Sequence, residues 1–204
     1  MAKADTESLS KRLVDRLNLF FSDILYSQDM LQEQLDTGDV FYKPVDVLPF
    51  LQTALMDEKF VEVEMNGITQ VYFTKIHDHP PEQTEEEAED EKEKYNRGDY
   101  LKKMSHLIIL PMEPGMGNYS IRYADRVVLR FFTSAYAVEL GSFYQGQEII
   151  EGLPVLNLDY PVIGRIVRGS REFRAKVPNK MDIKLMVIGK RKQKTITTRL
   201  LNIS

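Results

Sequence analysis

The sequence predicts a mainly β protein, with an N-terminal helix followed by a small antiparallel β-barrel or sandwich and then a second β unit. Three observations support this: a helical apolar period over residues 7–35, short stretches of period two from residue 60 onward, and a reversal of charge near residue 161. Residues 161–204 hold 12 Lys and Arg against 2 Asp and Glu, a net charge of +10. The whole chain carries −4, which leaves −14 for residues 1–160.

The composition is that of a globular protein of one or two domains. With 204 residues, 43% of them hydrophobic and 28% charged, the chain is long enough to bury a core. It contains no cysteine, which excludes disulfides, thiol nucleophiles and thiolate metal sites. It has neither a signal-peptide pattern nor an apolar run approaching the roughly 20 residues of a membrane span. We therefore expect a cytoplasmic protein without a membrane span.

Residues 1–38 are predicted to form one N-terminal amphipathic helix, helical over 7–35. Ser8 or Ser10 is a candidate cap, and Gly38 is expected to end the helix in the left-handed conformation. We expect the apolar stripe to pack on its own domain; a homodimer formed by a coiled coil through residues 8–35 is the alternative. The stripe consists of Leu13, Leu17, Phe20, Ile24, Leu31 and Leu35.

Residues 39–160 are predicted to form the barrel. A short helix is expected at 47–56, with Pro49 near its first turn, followed by a hairpin around Asn66 and Gly67. Residues 77–98 interrupt the β pattern, and from 82 to 94 they carry eight acids against two lysines, which predicts a disordered or partly helical insertion. Further strands are predicted at 107–110, 127–133, 135–140 and 155–158.

A basic β unit follows a linker at residues 161–174. We expect strands at 173–177, 182–188 and 195–203, with the basic cluster at 190–194 as a hairpin loop. A nucleic-acid grip is the other interpretation of this cluster. The tail has few aromatic residues for stacking, and the acidic remainder of the chain would repel phosphate, so we do not expect nucleic acid as a partner.

The sequence contains no motif of a known catalytic centre. A Gly-x-Ser-x-Gly elbow, a phosphate loop with its lysine and a Gly-x-Gly-x-x-Gly after a strand are all absent, and Gly115-Met116-Gly117 is interpreted as a tight turn. His77-Asp78-His79 could chelate a metal, but it lacks a clear third and fourth ligand and is interpreted as a surface loop. His106 is predicted to be an ordinary strand residue. We expect no enzyme, no metal site and no resident cofactor.

Four arginines, Arg165, Arg168, Arg171 and Arg174, lie within ten residues at the predicted junction. A guanidinium group presents a rigid fork of donors that suits phosphate oxygens and can stack on planar bases. The series is therefore a candidate anion site, and a solvated basic connector is the alternative.

Residues 155–204 resemble the junction of YcgR-like bacterial proteins, in which an N-terminal split barrel precedes a PilZ domain. In that family a linker with Arg-x-x-x-Arg leads into the first PilZ strand, and Asp/Asn-x-Ser-x-x-Gly follows about 25 to 30 residues later. Here Ser170-Arg171-Glu172-Phe173-Arg174 occupies the first motif, and Ala-Lys-Val-Pro follows it. Asn202-Ile203-Ser204 matches the first three residues of the second, with Asn202 28 positions after Arg174.

The resemblance implies a non-enzymatic signalling protein that binds cyclic di-GMP and controls motility or surface behaviour through a flagellar or other protein partner. It implies a ligand site formed by Arg168, Arg171, Arg174, Asn202 and Ser204. Arginines can clamp the two phosphates and contact guanine O6 and N7, while Asn and Ser bond the remaining edges. A linker that becomes ordered around the ligand would change the angle between two domains.

The chain departs from the family pattern at two places. Ser170 replaces the first arginine of the linker motif, with Arg168 as the nearest substitute. The sequence also ends at Ser204, before the glycine of the second motif. The resemblance therefore implies that residues 175–204 form an incomplete second β-barrel of PilZ type, which is either the beginning of a truncated PilZ domain or part of a degenerate one. The alternative function is that of a protein-interaction adaptor whose degenerate site does not bind cyclic di-GMP.

Overall fold

The computed structural model describes residues 2–66, 70–78, 100–103, 105–169, 175–188 and 193–203. Within them the chain is mainly antiparallel β with helices towards the N-terminus, which confirms the predicted fold class. None of the described helices combines the length and apolar character needed to cross a bilayer. The helices are α1 Ala2–Phe20, α2 Gln28–Thr37, α3 Pro44–Met56, α4 Tyr100–Lys103 and α5 Gly117–Ser120, the last followed by a 3-10 turn at Ile121–Tyr123.

The strands form three sheets. The strands are β1 Val40–Phe41, β2 Val61–Met65, β3 Tyr72–Thr74, β4 His106–Ile109, β5 Val127–Phe132, β6 Tyr136–Ser142, β7 Tyr144–Ile150, β8 Leu153–Asp159, β9 Ile163–Arg168, β10 Ala175–Ile188 and β11 Gln193–Ile203. A six-stranded sheet has the order β1-β9-β6-β5-β2-β3, a three-stranded sheet the order β4-β8-β7, and β10 pairs with β11. The predicted strands at 107–110, 127–133, 135–140 and 155–158 correspond to β4, β5, β6 and β8.

One long bent hairpin runs through both larger sheets. Its turn is formed by Glu151 and Gly152, both in the left-handed region (φ 51° and 81°), as a two-residue hairpin turn requires. Next to the turn β7 pairs with β8 in the three-stranded sheet, and beyond a bend at Phe143 β6 pairs with β9 in the six-stranded sheet. At the bend the Asp159 amide donates to the Phe143 carbonyl over 2.8 Å. The base of the hairpin thus ends at Arg168, the point from which the chain leaves the sheet.

This hairpin corrects the predicted linker at its N-terminal end. Residues 163–168, which the sequence analysis placed in the linker 161–174, form β9 and pair with β6 on one side and β1 on the other. The apolar residues Ile163, Ile166 and Val167 had already indicated an extended segment, but the regular spacing of the arginines assigned it to the linker.

A second junction joins the two larger sheets. Isolated bridges pair Phe73 with Glu113 and Ile76 with Ile109, so the edge at β3 meets the edge at β4. Within the described residues neither sheet closes on itself, and at a coarse level the arrangement agrees with the predicted split barrel. The main core combines residues of both sheets with α3; among its fully buried side chains are Leu51, Leu55, Leu107, Ile109, Leu129, Phe131 and Leu158.

The prediction of one helix over residues 1–38 is wrong, because the chain breaks between α1 and α2. The Asn18 side chain closes the break by accepting from the Tyr26 amide (2.7 Å) and donating to the Tyr26 carbonyl (3.2 Å). Ser27, which interrupts the apolar period, caps α2 by accepting from the Met30 amide. Gly38 ends α2 with φ 73°, as predicted.

The apolar stripe of α1 and α2 packs within the chain, as the first interpretation expected. Ile24 is the exception, since it is 42% exposed in the connection between the helices. The homodimer through residues 8–35 stays a prediction. The buried cluster beneath the helices contains Leu13, Leu17, Phe20, Phe21, Tyr26, Leu31, Val40, Val128 and Ile163.

Two local predictions are right in type and wrong in detail. The short helix begins at Pro44 rather than residue 47, which places Pro49 inside the helix instead of near its first turn. The hairpin of β2 and β3 exists, but Val61 faces Thr74, a register two residues away from the one that a two-residue turn at Asn66 and Gly67 would set. The Asn66 side chain instead accepts from the amides of residues 125 and 126.

The basic tail forms a hairpin of two strands, β10 and β11. The predicted strand at 182–188 and the described part of the one at 173–177 belong to the single strand β10, with a register shift between Lys176 and Met181. The pairing begins at Ile188 opposite Gln193, consistent with a loop between them. The predicted insertion, apart from His77 and Asp78, lies outside the described residues, as does most of the predicted loop at 190–194.

Candidate functional site

The predicted arginine series begins on β9 and continues beyond its end. Arg165 and Arg168 lie on β9, and Asn202 lies on β11. Arg171, Arg174 and Ser204 lie outside the described residues. Gly169 follows Arg168 with φ 77°, a conformation that glycine adopts readily, and it marks the end of the strand.

Arg165 is a buried structural residue. Its side chain is 6% exposed and binds Glu139 through Nε (2.7 Å) and Nη2 (2.6 Å). Nη2 also contacts Asp23 at 2.7 Å, and Nη1 donates to the Tyr26 hydroxyl at 2.8 Å. Burial acts to lower the pKa of Arg165, but the charge of Glu139 and these hydrogen bonds outweigh it and raise the pKa. The guanidinium therefore stays charged and pins the connection between α1 and α2 to the sheet.

Arg165 ends a ladder of alternating charges that crosses four neighbouring strands. Glu62 on β2 faces Arg130 on β5, Arg130 faces Glu139 on β6, and Glu139 faces Arg165 on β9. Arg130 donates to Glu139 at 2.5 and 2.6 Å and lies 3.6 Å from Glu62. Each buried carboxylate therefore has a cationic neighbour across the strand, which is the condition for burying it.

The sequence analysis missed this ladder, although the sequence carries a signal for it. Arg130 and Glu139 are single charged residues within otherwise apolar strands, Val-Val-Leu-Arg-Phe-Phe and Tyr-Ala-Val-Glu-Leu. A lone charge in a core strand needs an opposite charge across the sheet. That requirement identifies the pair once the strand register is known.

Arg168, three residues further along β9, has a different environment. Its side chain is 63% exposed. One edge of its guanidinium is bound by Asp39, with Nη2 2.7 Å and Nε 3.0 Å from Oδ1. The hydrogen bond to Asp39 raises the pKa of Arg168. Among the predicted ligand residues, Arg168 is the one whose side chain the structure describes. It is the last residue of β9 and precedes the linker motif.

The described backbone of the basic hairpin pairs the residues that follow the first predicted motif with residues of the second. Ala175, which follows Arg174, is paired with Ile203, and Lys176 is paired with Asn202. Asn202 lies 28 positions after Arg174 in sequence, yet it is paired with Lys176, two residues after the end of the first motif.

The other candidate sites of the sequence analysis have simpler environments. Gly115 and Gly117 lie in the turn that begins α5, as expected, and Gly117 packs against the ring of Tyr72. His106 is a residue of β4. The carbonyl of His77 accepts from the Tyr100 hydroxyl, and His79 lies outside the described residues. In the part of the chain that is described, no group of three or more His, Cys, Asp or Glu side chains could hold a metal ion.

No protein-family model matches this chain, and no curated protein gives a significant match. Solved structures similar to it include YcgR from Escherichia coli in complex with c-di-GMP, with a TM-score of 0.49 and 16% identity over 82% of this chain and 62% of that one. The YcgR-N domain of the same protein has a TM-score of 0.46 and 15% identity over 64% of this chain and 96% of that one. MrkH from K. pneumonia has a TM-score of 0.39 and 9% identity over 82% of this chain and 59% of that one.

The chain spans about three fifths of the length of that YcgR structure. These similarities fall on YcgR-like proteins, the family that residues 155–204 resemble.

Proposed function

We propose that this chain belongs to a cyclic di-GMP-responsive signalling protein without catalytic activity. The ligand site consists of Arg168, Arg171, Arg174, Asn202 and Ser204. The observation that carries the proposal is the register of β10 and β11, in which Ala175 faces Ile203 and Lys176 faces Asn202. This pairing supports one composite site, because it brings Ala175, which directly follows the first motif in sequence, opposite Ile203 of the second motif.

The chemistry of the ligand fits these residue types. Cyclic di-GMP carries two phosphates, and each can be held by a guanidinium through two parallel hydrogen bonds. Ser170 stands where the family motif has its first arginine, so the guanidinium of that position has to come from another arginine. Arg168 lies two residues earlier, and its mostly exposed side chain makes it accessible to a ligand at the linker.

The output of this sensor is a change in the relation between two domains that acts on a protein partner. The linker motif lies between β9, which belongs to the six-stranded sheet, and β10, which begins the basic hairpin. A ligand that draws both motifs together would order the linker and bias the angle between the two units. Control of motility or surface behaviour through a flagellar or related partner is the role we assign to that change.

The test is calorimetric titration of cyclic di-GMP into the full chain that the gene encodes. We expect binding by the wild type and its loss, by at least about tenfold in affinity, in Arg171→Ala and in Arg174→Ala, because each removes a charge-assisted contact. Arg122→Ala is the matched control, since it removes an equal charge from an exposed arginine that contacts Gln147 and the Tyr119 ring.

Two outcomes would contradict the proposal. One is the absence of any binding by the wild-type chain, which would favour the interaction adaptor with a degenerate site. The other is an equal loss of affinity in Arg122→Ala, which would reduce the binding to a general effect of positive charge.

A further inference from the structure

We infer that Asp39 is an internal competitor for the ligand: it occupies the edge of Arg168 that a phosphate would bind, and thereby fastens the start of the linker to the split barrel until cyclic di-GMP displaces it. This inference rests on the proposed function. It assigns a role to Asp39, a residue that precedes Arg168 by 129 positions and lies outside both sequence motifs.

The first argument is the geometry of the contact. A guanidinium binds a phosphate or a carboxylate best through two neighbouring N–H groups. In Arg168 the neighbouring groups Nε and Nη2 both point at Asp39, with distances of 3.0 and 2.7 Å to Oδ1 and 3.3 Å from Nε to Oδ2. A phosphate that takes this edge must therefore replace the carboxylate.

The second argument is that Asp39 is held on a rigid support. Its amide donates to the Gln34 carbonyl over 2.9 Å as part of the left-handed end of α2 at Gly38. Its carbonyl accepts from the Ile166 amide over 2.7 Å, and the next residue, Val40, pairs with Arg165. The carboxylate thus has a fixed position beside β9, and the flexible partner in the contact is the long side chain of Arg168.

The third argument is the strength of the contact. The pair is accessible to solvent, with side-chain exposures of 63% for Arg168 and 23% for Asp39. An exposed ion pair contributes little to stability, and a bidentate contact to a doubly charged ligand can outcompete it. A ligand cannot displace Glu139 from Arg165 in the same way, because both side chains are buried. Arg168, which is bound by Asp39, is therefore the β9 arginine that a ligand can recruit.

The experiment compares Asp39→Asn with Asp36→Asn in the full chain. Both variants remove one negative charge near the end of α2, but the Asp36 carboxylate accepts from Gln32 and has no arginine in that bond. By calorimetry we expect Asp39→Asn to bind cyclic di-GMP about two- to fivefold more tightly than the wild type, which is the range of one exposed ion pair. Asp36→Asn should bind as the wild type does.

A double variant shows whether the effect passes through Arg168. In an Arg168→Ala background, Asp39→Asn should change the affinity no more than Asp36→Asn does. An equal effect of Asp39→Asn with and without Arg168, or equal effects of Asp39→Asn and Asp36→Asn, would overturn the inference.

A second measurement is independent of the nucleotide. The NMR signal of the Arg168 Nε–H group, identified by its loss in Arg168→Ala, should shift in Asp39→Asn and stay in place in Asp36→Asn. An unshifted signal in Asp39→Asn would overturn the inference even if cyclic di-GMP binds. A shifted signal without nucleotide binding by any variant would instead overturn the proposed function, and the competition with it.

Discussion

Arg165 and Arg168 lie three residues apart on the same strand and have different roles. Arg165 is enclosed between the six-stranded sheet and the α1–α2 connection, with Glu139, Asp23 and Tyr26 as partners. Arg168 projects at the end of β9 with Asp39 as its partner and most of its side chain in solvent. Burial, rather than residue type or spacing, separates the arginine that builds the fold from the arginine that is available to a ligand.

The difference follows from the cost of desolvating charge. A buried guanidinium is tolerable only when several acceptors replace its water, and once they do, it has no capacity left for a ligand. An exposed guanidinium keeps its hydration and exchanges partners at small cost. A series of equally spaced arginines can therefore contain both kinds, and here both lie on the single strand β9.

The largest effect is expected from Arg165→Ala. The substitution leaves Glu139, 4% exposed, without its closest buried cation, and breaking a buried pair in this way typically costs about 3–5 kcal/mol. Urea denaturation should show the free energy of unfolding lowered by that amount. A loss below about 1 kcal/mol would mean that Glu139 is satisfied by Arg130 alone and would remove the distinction between the two arginines.

A smaller effect is expected from Tyr26→Phe. This variant keeps the buried ring and removes only the hydroxyl that accepts from Arg165 Nη1 over 2.8 Å. The donor is left without that partner in a buried site, so the free energy of unfolding should fall by about 1–2 kcal/mol. Tyr42→Phe, a change of the same kind at a tyrosine on the rim of the same cluster, is the control and should have little effect.

The smallest effect on stability is expected from Arg168→Ala. The exposed pair with Asp39 should contribute little to the free energy of unfolding, and less as salt screens it. Denaturation of Arg168→Ala at low and high salt measures this directly. A loss as large as that in Arg165→Ala would show that Arg168 too is part of the folding core.

The fold could be predicted from the sequence where one local signal decided the structure. The short apolar runs of β5 and β6 predicted both strands, and Gly38 ended α2 because only a left-handed residue fits there. The break between α1 and α2 was missed, because Ile24 and Leu31 continue the apolar period of Leu17 and Phe20 across the gap in the sequence.

The site was predictable only in part. The motif around Arg171 identified the linker, but the roles of Arg165 and Arg168 depend on residues about 130 positions away or more, in the α1–α2 connection and at Asp39. Those contacts follow from strand register and from the packing of the helices on the sheet, which no local pattern contains. Long-range pairing therefore limits how far a ligand site can be derived from sequence.

The most direct test measures cyclic di-GMP affinity and thermal unfolding on the same samples of wild type and Arg168→Ala. The account predicts that Arg168→Ala loses about ten- to a hundredfold in affinity, as expected for one bidentate contact, while its unfolding temperature stays close to that of the wild type. Unchanged affinity together with a large fall in unfolding temperature would contradict it, because Arg168 would then belong to the fold and not to the ligand site.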